Sequence, residues 1–108
     1  MGVNKVILLG NVGRDPEVRH PEKDMTIAAF SLATSETRGG SEITEWHNIV
    51  MVGRLAELAE RYIRKGTRLY IEGKLRTREY EDKMKIRRWR TEIYADSVEL
   101  LGRAQQSQ

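Results

Sequence analysis

Between Thr44 and Tyr80 the chain reads strand, helix, strand, and that order constrains the fold more than any other feature. Residues 44–52 are rich in β-branched and aromatic types, as strands are. Gly53 breaks the pattern. Leu55, Leu58, Ala59, Tyr62 and Ile63 then recur at i, i+3, i+4, i+7 and i+8, which predicts a helix with a single apolar stripe and places Tyr62 in the core. Glu57 with Arg61, and Glu60 with Arg64, stand four apart with the acid first, an order that supports an exposed helical face through ion pairs. Gly66 falls where a left-handed helix cap favours a residue without Cβ.

From Arg68 to Tyr80 the residues alternate. Leu69, Ile71, Gly73, Leu75 and Thr77 fall on one side, and Arg68, Tyr70, Glu72, Lys74, Arg76, Arg78 and Tyr80 on the other. Lys74, Arg76, Arg78 and Tyr80 therefore share a surface suited to a polyanion with flat bases. An edge strand kept soluble by charge would look the same, and this strand alone leaves the two readings level. Charge distribution adds to the first. Residues 1–50 hold five Lys/Arg against seven Asp/Glu, residues 51–108 hold fourteen against nine, and residues 74–90 hold eight against three. A footprint this local is what a nucleic-acid partner requires, although the chain as a whole carries only +3.

The remaining segments supply the other elements. Val3–Leu9 is a strand with two mostly apolar faces, Lys5 excepted, and Gly10, Gly13 and Asp15-Pro16 then turn the chain into a loop. Glu17–Asp24 is polar and reads as a short strand and a turn. Met25–Thr34 is a strand, and Ser35–Glu42, with Gly39-Gly40, reads as a flexible hairpin loop. Glu81-Asp82-Lys83 turns a long hairpin whose second arm is Met84–Ala95. In Ile49-Val50-Met51-Val52 both faces of a strand are apolar, more than a small barrel buries, so a subunit contact is expected there. The chain divides into a domain at 1–102 and a polar tail at 103–108, expected to be disordered.

At 108 residues the chain is long enough for one core. It has no cysteine, so neither a disulfide nor a thiolate metal site or nucleophile is available. No apolar run reaches membrane-spanning length and the first residues lack the layout of a signal peptide, which predicts a cytoplasmic protein away from membranes. His20 and His47 lie far apart in sequence, too few for a metal centre. With no glycine-rich phosphate loop and no nucleophile–base pair, we expect no catalytic residues, no metal and no cofactor.

Five strands with one helix between the third and fourth is the element order of an OB-fold, a small Greek-key barrel that commonly binds oligonucleotides. Fold alone does not assign function. More specific are Gly2-Val3-Asn4-Lys5-Val6-Ile7-Leu8, Gly10-Asn11, Gly13-Arg14-Asp15-Pro16-Glu17, Leu32-Ala33-Thr34-Ser35, Thr44-Glu45-Trp46-His47, Tyr70-Ile71-Glu72-Gly73 and Leu75-Arg76-Thr77-Arg78. In this order and spacing they resemble the bacterial single-stranded DNA-binding proteins over nearly all of residues 2–101, and mitochondrial relatives share much of the pattern.

The resemblance implies stacking of a base on Trp46, and a second stacking platform at Tyr80. It implies that Lys5, Arg54, Lys65, Arg76 and Arg78 line the DNA path, and that His47 sits in a subunit contact of a homotetramer. Lys74 joins the set by its strand face, and Arg88 by its place on the basic returning strand. Two departures stand out. Arg38 lies near the position of a usual loop aromatic, and Val52 stands where bacterial members often have Phe. Trp89, on the returning strand, is the expected substitute, from its spacing. Read by pattern alone, Trp46 fits a core position as well as a stacking one; Tyr70 and Tyr94 fit core, interface or ligand contact. An OB-fold RNA binder or a primosome-type relative would share the fold and charge, and an enzyme using Asp/Glu pairs is the third class. Bacterial members usually continue into a Gly/Pro/Gln-rich linker with an acidic tip that recruits replication and repair proteins. This chain stops at Arg103-Ala104-Gln105-Gln106-Ser107-Gln108, as a cut domain or a naturally short member would.

Overall fold

The computed structural model describes residues 1–103, with side chains through residue 102. Its elements are β1 (Val6–Val12), β2 (Glu17–Glu22), β3 (Met25–Arg38), β4 (Ser41–Val52), α1 (Arg54–Tyr62), β5 (Thr67–Glu81) and β6 (Arg87–Arg103). The expected tail at 103–108 lies outside the described residues except for Arg103, the last residue of β6. No helix among the described residues is long and apolar enough to cross a membrane.

The strands run in the order β1-β5-β6-β4-β3-β2, and β1 also pairs with β3. That last pairing closes a ring of five strands, with β2 as an extra edge strand on β3. Closure depends on β1 changing partner. It pairs with β5 from Val6 to Asn11, then meets β3 at Asn11–Ala33 and Val12–Leu32. The chain therefore continues as a strand through Gly10 and Asn11, where the sequence pattern indicated a loop. Gly10 is buried, and a Cβ there would overlap the backbone carbonyl of Ala33. Glycine serves here to bring two backbones together, not to break a strand. Only one contact in the ring is parallel, β4 with β6 at Ile49–Ile93 and Val50–Tyr94. The short polar segment is a full strand, so the described residues form six strands and the helix follows the fourth.

Inward-facing Phe30, Leu32, Ile49, Met51, Leu69, Ile71 and Ile93 fill the barrel. Helix α1 closes one end, with Ala56, Ala59 and Ile63 fully buried. The apolar stripe is thus rotated from the predicted one. Tyr62 is 59% exposed, because small alanines let the helix approach the barrel and the chain turns extended at Ile63, which takes the core position instead. The expected helix ion pairs are also replaced. Glu60 faces His20 at 3.5 Å, and Arg64 donates to the Glu60 and Ile63 carbonyls at the helix C-terminus. Gly66 has φ 90°, but it belongs to the turn beyond the helix, where its N–H donates to the Val12 carbonyl.

The expected flexible loop at Ser35–Glu42 is strand. Pairing runs from Ser35–Thr44 to Arg38–Ser41, and only Gly39-Gly40 turn, at φ 55° and 84°. Positive φ at both central residues matches the right-handed twist of a two-residue hairpin. At the other hairpin, Met84 lies in the turn rather than in the returning strand. Oδ1 of Asp82 accepts the Met84 and Ile86 amides at 2.9 Å each and organises that turn. The apolar run at 49–52 needs no partner subunit for most of its length. Ile49, Val50 and Met51 are all buried within one chain, since β4 is flanked by β3 and β6 and its outer side is covered near Tyr94. Val52 alone remains exposed, at 46%.

Candidate nucleic-acid interface

The outer face of β3, β4, β6 and β5 gathers residues from distant parts of the sequence. Ala33 pairs with Trp46, Ser31 with Asn48, Ala29 with Val50 and Ile27 with Val52. Val50 pairs with Tyr94, and across the long hairpin Lys74 meets Tyr94, Arg76 meets Glu92, Arg78 meets Arg90 and Tyr80 meets Arg88. Trp46, Lys74, Arg76, Arg78, Tyr80 and Arg88 therefore share one surface. Beyond Gly73 all of β5 is exposed, because the hairpin leaves the barrel there.

Trp46 is 60% exposed and its indole lies over Gly13. A Cβ at position 13 would overlap the ring at Cζ3. Gly13→Ala should therefore shift the Trp46 indole and weaken oligonucleotide binding, yet leave the melting temperature close to that of the parent, since the ring is largely in solvent. Titration beside a thermal melt checks this, and unchanged affinity would show that the ring's seat is unimportant.

The arginines are held in place. The Arg76 guanidinium lies 4.9 Å from the centre of the Tyr94 ring, within cation–π range. Nε of Arg78 donates to Glu92 at 2.9 Å, and Arg78 also lies 5.9 Å from the Tyr80 ring centre. Arg88 donates to Asp82 at 2.7 Å, which ties it to the hairpin tip. That bond first, with the Ile86 and Met84 amides, holds the Asp82 carboxyl below the usual carboxylate range. No acidic group pairs with the Lys74 side chain among the described residues.

Other expected residues lie elsewhere on the barrel. Lys5 is on the β1–β5 wall, bonded to Glu72 at 2.8 Å, and the Tyr70 hydroxyl donates to the same carboxylate at 2.6 Å. The Lys5 bond, then the Tyr70 bond, lowers the Glu72 pKa, and the lysine pKa is raised in return. Arg54 begins α1 at the end of the barrel. Lys65 lies beyond the helix, its amide donating to Asp15 near the Gly13 seat of Trp46. His47 is half-buried, with Nε2 2.8 Å from the Thr34 hydroxyl. Trp89 pairs with Glu79 and so falls on the opposite face of the hairpin from Tyr80, 65% exposed.

Several residues of this face escaped the sequence reading. A cleft of about 360 Å³ in the shared face has a floor of Ile27, Ala29 and Val50 and walls that include Arg19, Arg78 and Tyr94. Arg14 and Arg90 line its continuation toward Asn48. The parity of Arg90 with Tyr94 was visible in sequence. Arg19 joins only because β2 folds back along β3, and Arg14 because the loop before β2 brings it there. Among the described residues no cluster of three or more His, Asp or Glu side chains could hold a metal.

A closed five-stranded barrel with a basic, aromatic outer face defines an oligonucleotide-binding domain of the OB-fold class. Residues 3–101 match the model of the single-strand binding protein family. The chain belongs to that family. It is 50% identical over 110 residues to a single-stranded DNA-binding protein of Bacteroides thetaiotaomicron, covering 94% of this chain and 68% of the relative. It is 46% identical over 107 residues to the protein of that name from Neisseria meningitidis serogroup A, covering 94% and 62%. The chain thus spans about two thirds of the length of these relatives. A solved Plasmodium falciparum SSB in complex with ssDNA is similar in structure, with a TM-score of 0.82, 31% identity, and coverage of 94% of this chain and 96% of that one.

Proposed function

We propose that this chain binds single-stranded DNA with little sequence preference, using the outer face of β3, β4, β6 and β5. The observation that carries the reading is the placement of Trp46 and Tyr80 on the same surface as Lys74, Arg76 and Arg78. A single strand offers phosphates and unpaired bases; flat rings stack on any base, and cations gain from released counterions. Turnover plays no part in this mechanism. Arg88 belongs to the same surface through its cross-strand pairing with Tyr80, while Arg54 and Lys65 extend the path at the barrel's end. Trp89 would meet only a strand that passes around the hairpin. In the cell such binding protects and organises strands during replication, recombination and repair, in the cytoplasm and at the nucleoid. Replication and repair proteins are partners through any longer C-terminal tail.

The test is equilibrium binding of oligothymidine over a salt series. The logarithm of affinity should fall with the logarithm of salt at about 0.7 per phosphate contact, and an RNA oligomer of equal sequence should compete poorly. Binding that ignores salt, or that prefers RNA, would refute the reading.

The homotetramer is part of the same proposal. Ile7 and Leu9 leave 58% and 57% of their surface exposed on β1, side by side on the outer wall. An apolar pair on a strand face is what a second copy would cover, and His47 is the expected contact elsewhere. Sedimentation at micromolar protein should give about four chains per particle, a closed symmetric assembly. A monomer would contradict it.

A further inference from the structure

Glu92 is a carboxylate at the centre of the basic face, with only 5% of its surface exposed. An acid there lowers the local positive potential, so attraction of a polyanion cannot explain its presence. Burying it is favourable only because it is paired. Its Oε1 accepts from Nε of Arg78 at 2.9 Å, and its Oε2 lies 3.5 Å from Nε of Arg90. Arg78 and Arg90 are direct cross-strand neighbours, an arrangement of like charges that would otherwise push the two side chains apart. Arg90 is fixed a second time, through Nη2 to Asn48 at 3.1 Å.

We propose that Glu92 is a positioning residue for phosphate binding: by holding Arg78 through Nε, it fixes the guanidinium plane and leaves both terminal amino groups for the strand. The role rests on the proposed reading of this face as the DNA surface. Arginine suits it because its donors are fixed in one plane, so one edge meets the carboxylate while another meets a phosphate. Lysine keeps spare donors on its single nitrogen, but they sit at one point and are not held in a plane. A bond to Glu92 then pulls the charge toward the carboxylate and aims nothing at the strand.

The experiment is oligothymidine titration, with a thermal melt of every variant. Glu92→Gln removes the negative charge at the centre of the face, so electrostatics alone would tighten binding. Positioning gives the reverse, about tenfold weaker binding. In an Arg78→Ala background the same substitution should have almost no further effect, because the residue it acts through is gone. Glu92→Gln that binds as well as or better than the parent overturns the proposal, as does an equal loss in the Arg78→Ala background. Should Glu92→Gln lower the melt, Arg78→Lys decides. It keeps the charge, yet should bind as weakly as Arg78→Ala, and Arg78→Lys with parental affinity overturns the role. Parental protein that does not bind oligothymidine refutes the underlying reading of the face instead.

Discussion

Trp46→Ala weakens binding to oligothymidine by about 1–3 kcal/mol for each base lost from the ring, every 1.4 kcal/mol being roughly tenfold. The expected effect is large because the indole is both exposed and held flat. It lies over Gly13, on the same surface as Arg76, Arg78 and Tyr80, so a base placed on it keeps its phosphates near the cations. Stability should change little, since most of the ring already meets water. The chain carries its own comparison, because it has two tryptophans and the hairpin register puts Trp89 on the other face. Trp89→Ala should alter affinity by no more than about twofold, the scale of an ordinary surface substitution. Fluorescence separates the two sites directly. Quenching on binding should survive Trp89→Phe and largely vanish in Trp46→Phe. The opposite pattern would place the strand around the hairpin and overturn the assignment of the face.

Gly10→Ala should destabilise the fold by about 1–3 kcal/mol, the range for overpacking a core. The melting temperature then falls by about 4–8 °C for each kcal/mol. The new methyl would overlap the carbonyl of Ala33, and a backbone held in pairings on both sides has little room to move. Relief would have to come at the β1–β3 seam, where the barrel closes. Gly73 is the counterpart across the ring, since its Cβ would overlap the Tyr94 carbonyl beside the irregularity between Glu72 and Gly73. Gly39 and Gly40 provide the contrast. A Cβ there meets open space, and the cost is confined to positive φ. Chemical denaturation of Gly10→Ala and Gly73→Ala measures the effect. A parental midpoint for both would mean that the seam yields easily.

The sequence by itself determined the strand–helix–strand centre, the single helix and the family. Periodicity is local, and each motif is a run of neighbours, so both can be read without knowing what folds against them. Alternation also settled which side of β5 carries Lys74, Arg76, Arg78 and Tyr80, because parity along a strand is a property of the backbone. Tertiary structure decided what lies opposite. Gly10 read as a loop-former because a glycine's use in close packing depends on a strand 23 residues away in sequence, at Ala33. Tyr62 read as core because the stripe alone cannot show how closely a helix approaches its barrel; Ala56 and Ala59 lie fully buried against it, and Ile63 takes the position expected of Tyr62. Val50 read as surplus because burial of a strand's second face depends on what lies across it, here Tyr94 on the parallel neighbour. The same holds for Glu92. In sequence it is one acid among many basic residues, and only the pairing of β5 with β6 places it between two arginines.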